Sequence, residues 1–499
     1  MQQKRKFGIL MPISSLPSKE GIGTLGEGAF KFIDYLHSCR GKIWQVLPLN
    51  PTNYGDSPYQ SCSANALNYY FIDLKLLVAD GLLFEEEIEN CKICGEDIRR
   101  VDYGAQFYHK TELLKLAYSR FEKSDDFLSF VERGEYAEFA VFMALKEKFG
   151  HRSFTEWEEP YRTYDEGVVH SFIEENREAV LFWHFTQFIF LKQWNAVKDY
   201  AHLKGIEIMG DIPLYIAYDS AEMWKYGDKM FKVDRHRIPY VVAGCPPDAF
   251  TEDGQLWGNP IYDWEKMRED GYLWWNKRIE DCFALYDILR IDHFRGFDSY
   301  YAIPAGESTA RYGHWEDGPK EKLFETHLHE KIVAEDLGLI DDGVRRLMRN
   351  VGYPGMKVLM FAFDGNSENE HKPSNYTENF VCYTGTHDNI PLKAYIEELD
   401  EKGYERYSED LKSECDGAGI SARLKGIENV CRTVIRLAFV SRADTVIIPM
   451  WDILTMGEEA RINLPSTVSP KNWSWRFVNG DFTPKSSSFL RYNVKKSGR

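Results

Sequence analysis

The composition of the chain is that of a soluble globular protein. Of its 499 residues, 43% are hydrophobic and 28% are charged, and the net charge is −17. Nucleic acids and anionic membranes bind basic surfaces, so this charge argues against both as partners. No stretch approaches the roughly 20 apolar residues of a membrane span, and residues 1–15 hold too short an apolar run for a signal peptide. We therefore predict a cytoplasmic protein.

Eight short apolar segments follow one another along the chain and are predicted to be β-strands. Most are continuous apolar runs, which is typical of strands buried on both faces of a parallel sheet. Helical patterns lie between many of them, for example at 25–39 and 429–440. Eight strands alternating with helices predict an α/β fold, a (β/α)8 TIM barrel. The strand segments are 7–14, 42–49, 205–216, 287–294, 331–338, 355–363, 380–388 and 444–452.

The spacing of these segments is uneven and predicts large insertions after the second and third strands. We predict one catalytic barrel over residues 1–499, with a mostly helical subdomain inserted at about 52–200. A second insertion is predicted at about 217–285, with a loop near 244–262. Barrel enzymes build their sites from loops at the C-terminal ends of the strands, which is where these insertions would lie.

The nine cysteines are scattered along the chain, as expected for thiols in a reducing compartment rather than for a disulfide framework. Cys91 and Cys94 form the one CxxC pair. A structural zinc site of this kind requires a second pair at similar spacing, and the sequence has none. We interpret the two residues as ordinary thiols and expect no metal.

Four predicted strands carry a carboxylate at or near their C-terminal end. Asp211 belongs to the third strand, Asp292 to the fourth, Glu335 to the fifth and Asp388 to the seventh. In a barrel these ends converge on one pocket, although they are far apart in sequence. Arg290 precedes Asp292 by two positions, and such residues of an extended strand point to the same side.

Convergent acids in a chain with 15% aromatic residues indicate glycosidic bond chemistry, in which one carboxylate is the nucleophile and another the proton donor. Arg290 is expected to keep Asp292 ionised, which suits a nucleophile. Glu335 follows an apolar run, which favours the raised pKa of a general acid. Two alternatives stay open: a purely structural ion pair between Arg290 and Asp292, and packing roles for His293 and His387.

Several segments are similar to a known enzyme family. The segments are SSLPSKEGIGTLG (14–26), WQVLPLNPTNYGDSPYQSCSA (44–64), GDIPLYIAYDSAEMW (210–224), GCPPDAFTEDGQLWGNPIYDW (244–264), RIDHFRGF, VAEDLG, YTGTHDN and EARINLP (459–465). In these segments the chain resembles the amylomaltases, or 4-α-glucanotransferases (glycoside hydrolase family 77), a branch of the α-amylase-like barrel enzymes. The similarity extends over about residues 7–476.

The resemblance implies retaining transfer of α-1,4-glucan segments without a metal or cofactor. Asp292 would form a covalent β-glucosyl intermediate, Glu335 would be the acid and base, and Asp388 would bind hydroxyls of the distorted ring. Arg290 would orient Asp292 and stabilise its charge. The further binding residues implied are His387, Asp211 and Tyr59 at the donor sugar, Trp257, Phe250 and Asn463 around the acceptor, and Tyr54 and Tyr103 in a second, remote groove.

The implied substrates are maltooligosaccharides and other α-glucans derived from starch or glycogen, with glucose as an acceptor. An intramolecular acceptor would give a large cyclic glucan. Two segments depart from the family pattern: IPL follows GTHDN in place of a small polar pair, and MWD at 450–452 lacks a glutamine before its aspartate. We predict that Trp451 reshapes the rim of the pocket. The oligomeric state is not predicted.

Two other functions fit the same residues. A hydrolase would use the same three acids and would differ only in letting water resolve the intermediate. The GCPPDAF segment favours transfer instead. A non-catalytic glucan-binding protein on an inherited barrel would be expected to have lost an acid, whereas Asp292, Glu335 and Asp388 are all present.

Overall fold

Eight parallel strands form the centre of the protein. The computed structural model describes residues 5–247, 252–377 and 379–499. Seven pairings join barrel strands that are neighbours in chain order, including that of the last strand with the first. Between the fifth and sixth barrel strands, the N–H of Ala334 donates to the carbonyl of Pro354 at 2.9 Å. These contacts close the sheet, and the predicted (β/α)8 barrel is confirmed.

All eight predicted segments contribute a barrel strand, and each strand is shorter than its segment. The barrel strands are β1 (Lys6–Leu10), β2 (Ile43–Gln45), β3 (Glu207–Ile212), β6 (Ile288–Ile291), β9 (Ile332–Ala334), β10 (Gly355–Val358), β11 (Phe380–Tyr383) and β12 (Thr445–Pro449). Four more strands in the described residues form a separate sheet, namely β4 (Val241–Cys245), β5 (Gln255–Pro260), β7 (Ser299–Pro304) and β8 (His314–Asp317).

The continuous apolar runs of the barrel strands result from burial on both faces, as predicted. In β12, Val446, Ile447 and Ile448 are all fully buried although successive side chains point to opposite faces. Inward side chains fill the barrel, and outward ones pack under the surrounding helices. The described α-helices are α1 (Glu27–Ser38), α2 (Leu74–Ala79), α3 (Glu85–Glu89), α4 (Tyr103–Ala105), α5 (Thr111–Arg120), α6 (Asp125–Arg133), α7 (Ala137–Lys148), α8 (Glu166–Glu175), α9 (Arg177–Leu203), α10 (Ala221–Tyr226), α11 (Trp264–Glu269), α12 (Leu273–Leu285), α13 (Asp342–Val351), α14 (Leu392–Glu397), α15 (Glu401–Gly417), α16 (Ile427–Val440), α17 (Met450–Ile453) and α18 (Pro484–Ser497).

The connection between β2 and β3 is helical and holds α2 to α9. Its last helix, α9, packs against α7 of the same connection and against α1 of the barrel wall. The indole N–H of Trp194 in α9 also donates to the carbonyl of Leu285 at 3.1 Å. One long helix thus joins the inserted helices to the barrel. No described helix is long and apolar enough to cross a membrane.

The separate sheet is antiparallel, in the order β5-β4-β7-β8. Strands β4 and β5 come from the connection after β3, whereas β7 and β8 come from the connection after β6. The pairing of Val241 with Pro304 joins the two connections. Large insertions were predicted only after the second and third barrel strands, whereas the fourth barrel strand, β6, is also followed by an insertion that contributes β7 and β8. Whether the insertions are units of their own stays a prediction.

Candidate active site

A cleft of about 220 Å³ opens at the C-terminal ends of the barrel strands. Five residues predicted from the sequence as catalytic or sugar-binding line it, namely Tyr59, Trp257, Asp292, Asp388 and Asn463. Residues that were not predicted to bind a ligand line it as well, among them Gln60, Tyr215, Asn259, His293 and Trp473. The loops that follow several barrel strands therefore meet at one cleft, as predicted for a (β/α)8 barrel.

The main-chain pairing of the barrel sets the positions of the acids. Asp292 directly follows β6, and its N–H donates to the carbonyl of Ile212 at 3.0 Å. Glu335 directly follows β9, and its N–H donates to the carbonyl of Ile291 at 3.0 Å. The ladder thus continues one residue past both strands. The pairing of β6 with β9 sets Ile291 opposite Ala334, so the next residues, Asp292 and Glu335, are cross-strand neighbours at the mouth of the barrel. The backbones of adjacent strands lie about 4.8 Å apart.

Arg290 links two carboxylates. Its Nη1 donates to both oxygens of Asp211, at 2.7 and 2.6 Å, and its Nη2 lies 3.0 Å from Oδ1 of Asp292. The predicted pairing of Arg290 with Asp292 is therefore present, but Asp211 is the closer partner. Asp211 lies directly opposite Arg290 in the pairing of β3 with β6. Burial lowers the pKa of Arg290, but the two carboxylates have the larger combined effect. The pKa of Arg290 is therefore raised well above its usual value.

Asp292 is surrounded by more negative charge than the sequence analysis assumed. Burial raises its pKa well above the usual value, Arg290 lowers it, and Asp211, Glu335 and Asp388 raise it further. Arg290 thus acts in the expected direction but is outweighed. The side chain of Asp292 stays 26% exposed, so a ligand in the cleft can reach it.

Glu335 is held by two main-chain donors. The N–H of His293 donates to Oε2 and the N–H of Leu337 to Oε1, both at 2.8 Å. His293 has a φ of 49°, in the left-handed region, which turns the chain sharply after Asp292. Burial raises the pKa of Glu335, whereas Arg290 and the two N–H groups lower it. The predicted direction for a general acid is therefore present.

Asp388 is the centre of a second set of contacts. Nδ2 of Asn463 donates to its Oδ1 at 2.7 Å, and Nε2 of His387 lies 3.3 Å from its Oδ2. The ring of Tyr59 stacks on His387 at 5.1 Å with an angle of 9°, and its hydroxyl donates to Oδ2 of Asp211 at 2.7 Å. Burial lowers the pKa of His387, so the ring is neutral near pH 7. These contacts join residues from four separate parts of the chain.

The other side of the cleft is aromatic. Trp257, in β5, meets the ring of His293 edge to face at 4.8 Å, and its indole N–H donates to Oε1 of Gln255 at 3.0 Å. Tyr215 lies 6.3 Å from Trp257. Burial and the charge of Arg295 lower the pKa of His293 to about 3. His293 is therefore a neutral residue of the cleft wall as well as a packing residue.

Trp473 and Asn259 line the cleft but were not predicted from the sequence. Trp473 packs against the rings of Tyr59 and His387, at 5.7 and 5.9 Å. Asn259 exchanges side-chain hydrogen bonds with Gln60 at 2.9 and 3.1 Å. Their partners lie far away in the sequence, so no local pattern connects them. Tyr215 could have been predicted more easily, because it lies four positions after Asp211 in the segment 210–224.

The 4-alpha-glucanotransferase family model matches residues 11–480. The chain belongs to this family. It is 43% identical to a 4-alpha-glucanotransferase of Clostridium butyricum, over 95% of this chain and 96% of that one. It is also 43% identical to a 4-alpha-glucanotransferase of Streptococcus pneumoniae, over 97% and 95%. The solved structure of amylomaltase from Streptococcus agalactiae in complex with acarbose matches with a TM-score of 0.93 at 37% identity, over 99% and 100% of the chains.

The predicted resemblance to the amylomaltases is thus confirmed, and the family supports 4-α-glucanotransferase activity for this chain. The prediction for Trp451, a departure from the family pattern, is wrong. Its side chain is 1% exposed and packs in the core, so it does not form the rim of the cleft. In the described residues, no group of three or more His, Cys, Asp or Glu side chains is placed to hold a metal ion.

The remaining predicted residues stay predictions. Phe250 lies outside the described residues. Tyr54 is 88% exposed, as a surface ligand groove would allow. The hydroxyl of Tyr103 donates to the carbonyl of Trp473 at 2.9 Å, which places Tyr103 behind the cleft wall rather than inside the cleft.

Proposed function

We propose that this chain transfers α-1,4-glucan segments between maltooligosaccharides with retention, through a covalent β-glucosyl intermediate on Asp292. One observation carries the proposal. Asp292 and Glu335 are cross-strand neighbours at the mouth of the barrel, and Asp388 lines the same cleft. Retaining enzymes hold their two carboxyl groups about 5–5.5 Å apart, a separation that side chains of neighbouring residues on adjacent strands can span, since the strand backbones lie about 4.8 Å apart.

In the first half-reaction, an oxygen of Asp292 attacks the anomeric carbon of the donor. The bond from this carbon to the glycosidic oxygen breaks, Glu335 protonates that oxygen, and the reducing-end piece leaves. Burial raises the pKa of both Asp292 and Glu335, so either carboxyl can hold the proton that the reaction needs. We assign the proton to Glu335, because Asp292 has the Arg290 guanidinium at 3.0 Å whereas Glu335 accepts only main-chain hydrogen bonds.

In the second half-reaction, the 4-hydroxyl of an acceptor sugar attacks the same carbon. Glu335 takes the hydroxyl proton, the bond to Asp292 breaks, and both carboxyls return to their starting states. Two inversions give net retention. Both steps use only acid–base and nucleophilic chemistry of carboxylates, so no metal or organic cofactor takes part.

The remaining residues of the cleft divide between donor and acceptor. Asp388, oriented by Asn463 and His387, is placed to bind sugar hydroxyls beside Asp292. Tyr59 belongs to the donor subsite, where its ring offers a stacking surface. Asp211 was predicted for the same subsite, but its side chain is fully buried, so its role is to hold the Tyr59 hydroxyl and Arg290 in place. Asn463 also contributes to the rim of the acceptor side. Trp257 covers the acceptor side, and Phe250 is assigned an acceptor-binding role on the resemblance alone. Tyr54 and Tyr103 are assigned to a remote glucan-binding groove on the same ground.

We propose maltooligosaccharides and α-glucans from starch or glycogen as substrates, with glucose as an acceptor and large cyclic glucans as intramolecular products. The test is the product pattern from pure maltotriose. We expect glucose together with longer oligosaccharides, and far fewer new reducing ends than bonds cleaved. One new reducing end for every bond cleaved would instead identify a hydrolase using the same acids.

Truncation of Trp257 tests how water is kept from the intermediate. Burying a side chain of this size stabilises by about 1.5–3 kcal/mol, so Trp257→Ala is expected to weaken acceptor binding by that order. The intermediate should still form, since the three acids stay in place, and water should capture more of it. We expect a lower total rate and a higher ratio of hydrolysis to transfer, measured by chromatography of maltotriose products beside a reducing-sugar assay.

Leu256→Ala is the matched control for this variant. Leu256 is the neighbour of Trp257 in β5, is 41% exposed and points to the other face of the strand. It should leave the ratio unchanged. An unchanged ratio in Trp257→Ala would show that this side chain is not the barrier to water.

A further inference from the structure

A groove on the outer wall of the barrel concentrates positive charge in a protein whose net charge is −17. It lies between α16 and α18 and ends at the segment 420–423. Its volume is about 540 Å³, against about 220 Å³ for the catalytic cleft. Small-molecule sites commonly enclose about 300–1,000 Å³. Four cationic side chains line the groove, namely Arg423, Arg432, Arg436 and Lys496.

Helical spacing explains why the cations converge. On α16, Asn429, Arg432 and Arg436 follow one another by three and four positions, so they share one face. On α18, Tyr492 and Lys496 are four positions apart and share a face in the same way. The two helices pack against each other, so these faces form opposite walls. Two packed helices thus form most of the groove, and the segment 420–423 between α15 and α16 supplies Arg423 at one end.

Three of the four cations lack an anionic partner among the described residues. Arg432 pairs with Glu428 at 2.7 Å and lies over the ring of Phe489 at 5.2 Å. No described carboxylate forms an ion pair with Arg423, Arg436 or Lys496. Clustered cations without carboxylate partners repel one another, and a bound anion would relieve that repulsion.

Arg436 shows this repulsion most clearly. Its Nη2 donates to Oγ1 of Thr433 at 2.7 Å, so its guanidinium is oriented by a neutral hydroxyl. The side chain is half-buried. Burial and the charge of Arg423 lower the pKa of Arg436, which means that its surroundings disfavour the charged form. An anion beside Arg436 would reverse that effect.

We propose that this groove binds a small organic phosphate, whose phosphate group is held by Arg423, Arg436 and Lys496. Arginine forks match the oxygens of a phosphate, and three unpaired cations suit a group that carries up to two negative charges. Tyr492 is 62% exposed on the wall of the groove and offers a surface for the organic part of the ligand. The site is separate from the catalytic cleft and does not depend on the proposed reaction.

The test is calorimetric titration of the full chain at constant ionic strength with glucose 6-phosphate, ADP and inorganic phosphate, and with glucose as the phosphate-free control. We expect saturable one-site binding of an organic phosphate and no heat from glucose at this site when the catalytic cleft is blocked by acarbose. Tighter binding of glucose 6-phosphate would identify a sugar phosphate as the ligand class, and tighter binding of ADP a nucleotide.

A neighbouring pair of lysines makes the test specific. Lys496→Gln should weaken phosphate binding severalfold, whereas Lys495→Gln, with the same charge change one residue away and outside the groove lining, should not. Arg436→Gln should weaken it about tenfold or more, because it removes charge-assisted hydrogen bonds. Without phosphate, all three variants should keep wild-type transfer activity, which reports a folded barrel. If Arg436→Gln does not fold, the comparison of Lys495→Gln with Lys496→Gln still tests the proposed site.

Three outcomes would overturn the proposal. One is the lack of saturable binding for every phosphate tested. Another is an equal loss of affinity in Lys495→Gln and Lys496→Gln, which would indicate a general charge effect. The third is binding of poly-glutamate without binding of any small phosphate, because the groove would then be a surface for an acidic macromolecule.

Discussion

Asp292→Asn is expected to reduce glucan transfer by several orders of magnitude while leaving the fold intact. The amide has the shape of the carboxylate but cannot form the covalent intermediate, and nucleophilic and acid–base roles are each worth factors of about 10² or more. Nη2 of Arg290 would face an amide in place of its ion pair with Asp292, while its two bonds to Asp211 remain. The measurement is the initial rate of maltotriose disproportionation beside a thermal unfolding curve.

Asp317→Asn is a suitable control for this variant. Asp317 is 83% exposed at the end of β8 and does not line the cleft, so the same substitution there should leave the transfer rate unchanged. Near wild-type transfer by a folded Asp292→Asn protein would rule out Asp292 as the nucleophile.

Glu335→Gln is expected to be nearly inactive on maltotriose and to recover partly on a glycosyl fluoride donor. Glutamine cannot protonate the leaving oxygen, whereas fluoride leaves without protonation. In the wild type, the N–H groups of His293 and Leu337 each donate to a different carboxylate oxygen of Glu335. Glutamine has an oxygen at only one of these two positions, so one of the two hydrogen bonds is lost. Deglycosylation also uses Glu335 as a base, so we expect recovery to remain incomplete. Rates on the two donors, measured under the same conditions, give the comparison.

Glu330→Gln provides the control at the opposite end of the same barrel strand. Glu330 precedes β9 on the N-terminal side of the barrel, far from the cleft, and the change should affect neither donor. Equal losses on both donors in Glu335→Gln would contradict its assignment as the acid.

The barrel was predictable because its strands leave a strong local pattern. Burial on both faces makes them continuous apolar runs, and eight such runs separated by helical patterns leave few other folds. The sheet of β4, β5, β7 and β8 leaves no such pattern. In β5 and β8 several side chains are exposed, and the two hairpins of this sheet come from different connections. Only their pairing, such as Val241 with Pro304, shows that they form one sheet.

The chemical groups of the candidate site were determined by the sequence, down to the acids at the strand ends, because the C-terminal ends of parallel barrel strands converge. The tertiary structure alone decided how these groups are paired and charged. Arg290 has Asp292 two positions away in sequence, yet it donates twice to Asp211 on the adjacent strand. The pKa of Asp292 depends on burial and on three other acids as well as on Arg290. Coulomb interactions act through space over a few ångströms, and residues brought that close by folding can be hundreds of positions apart in the chain.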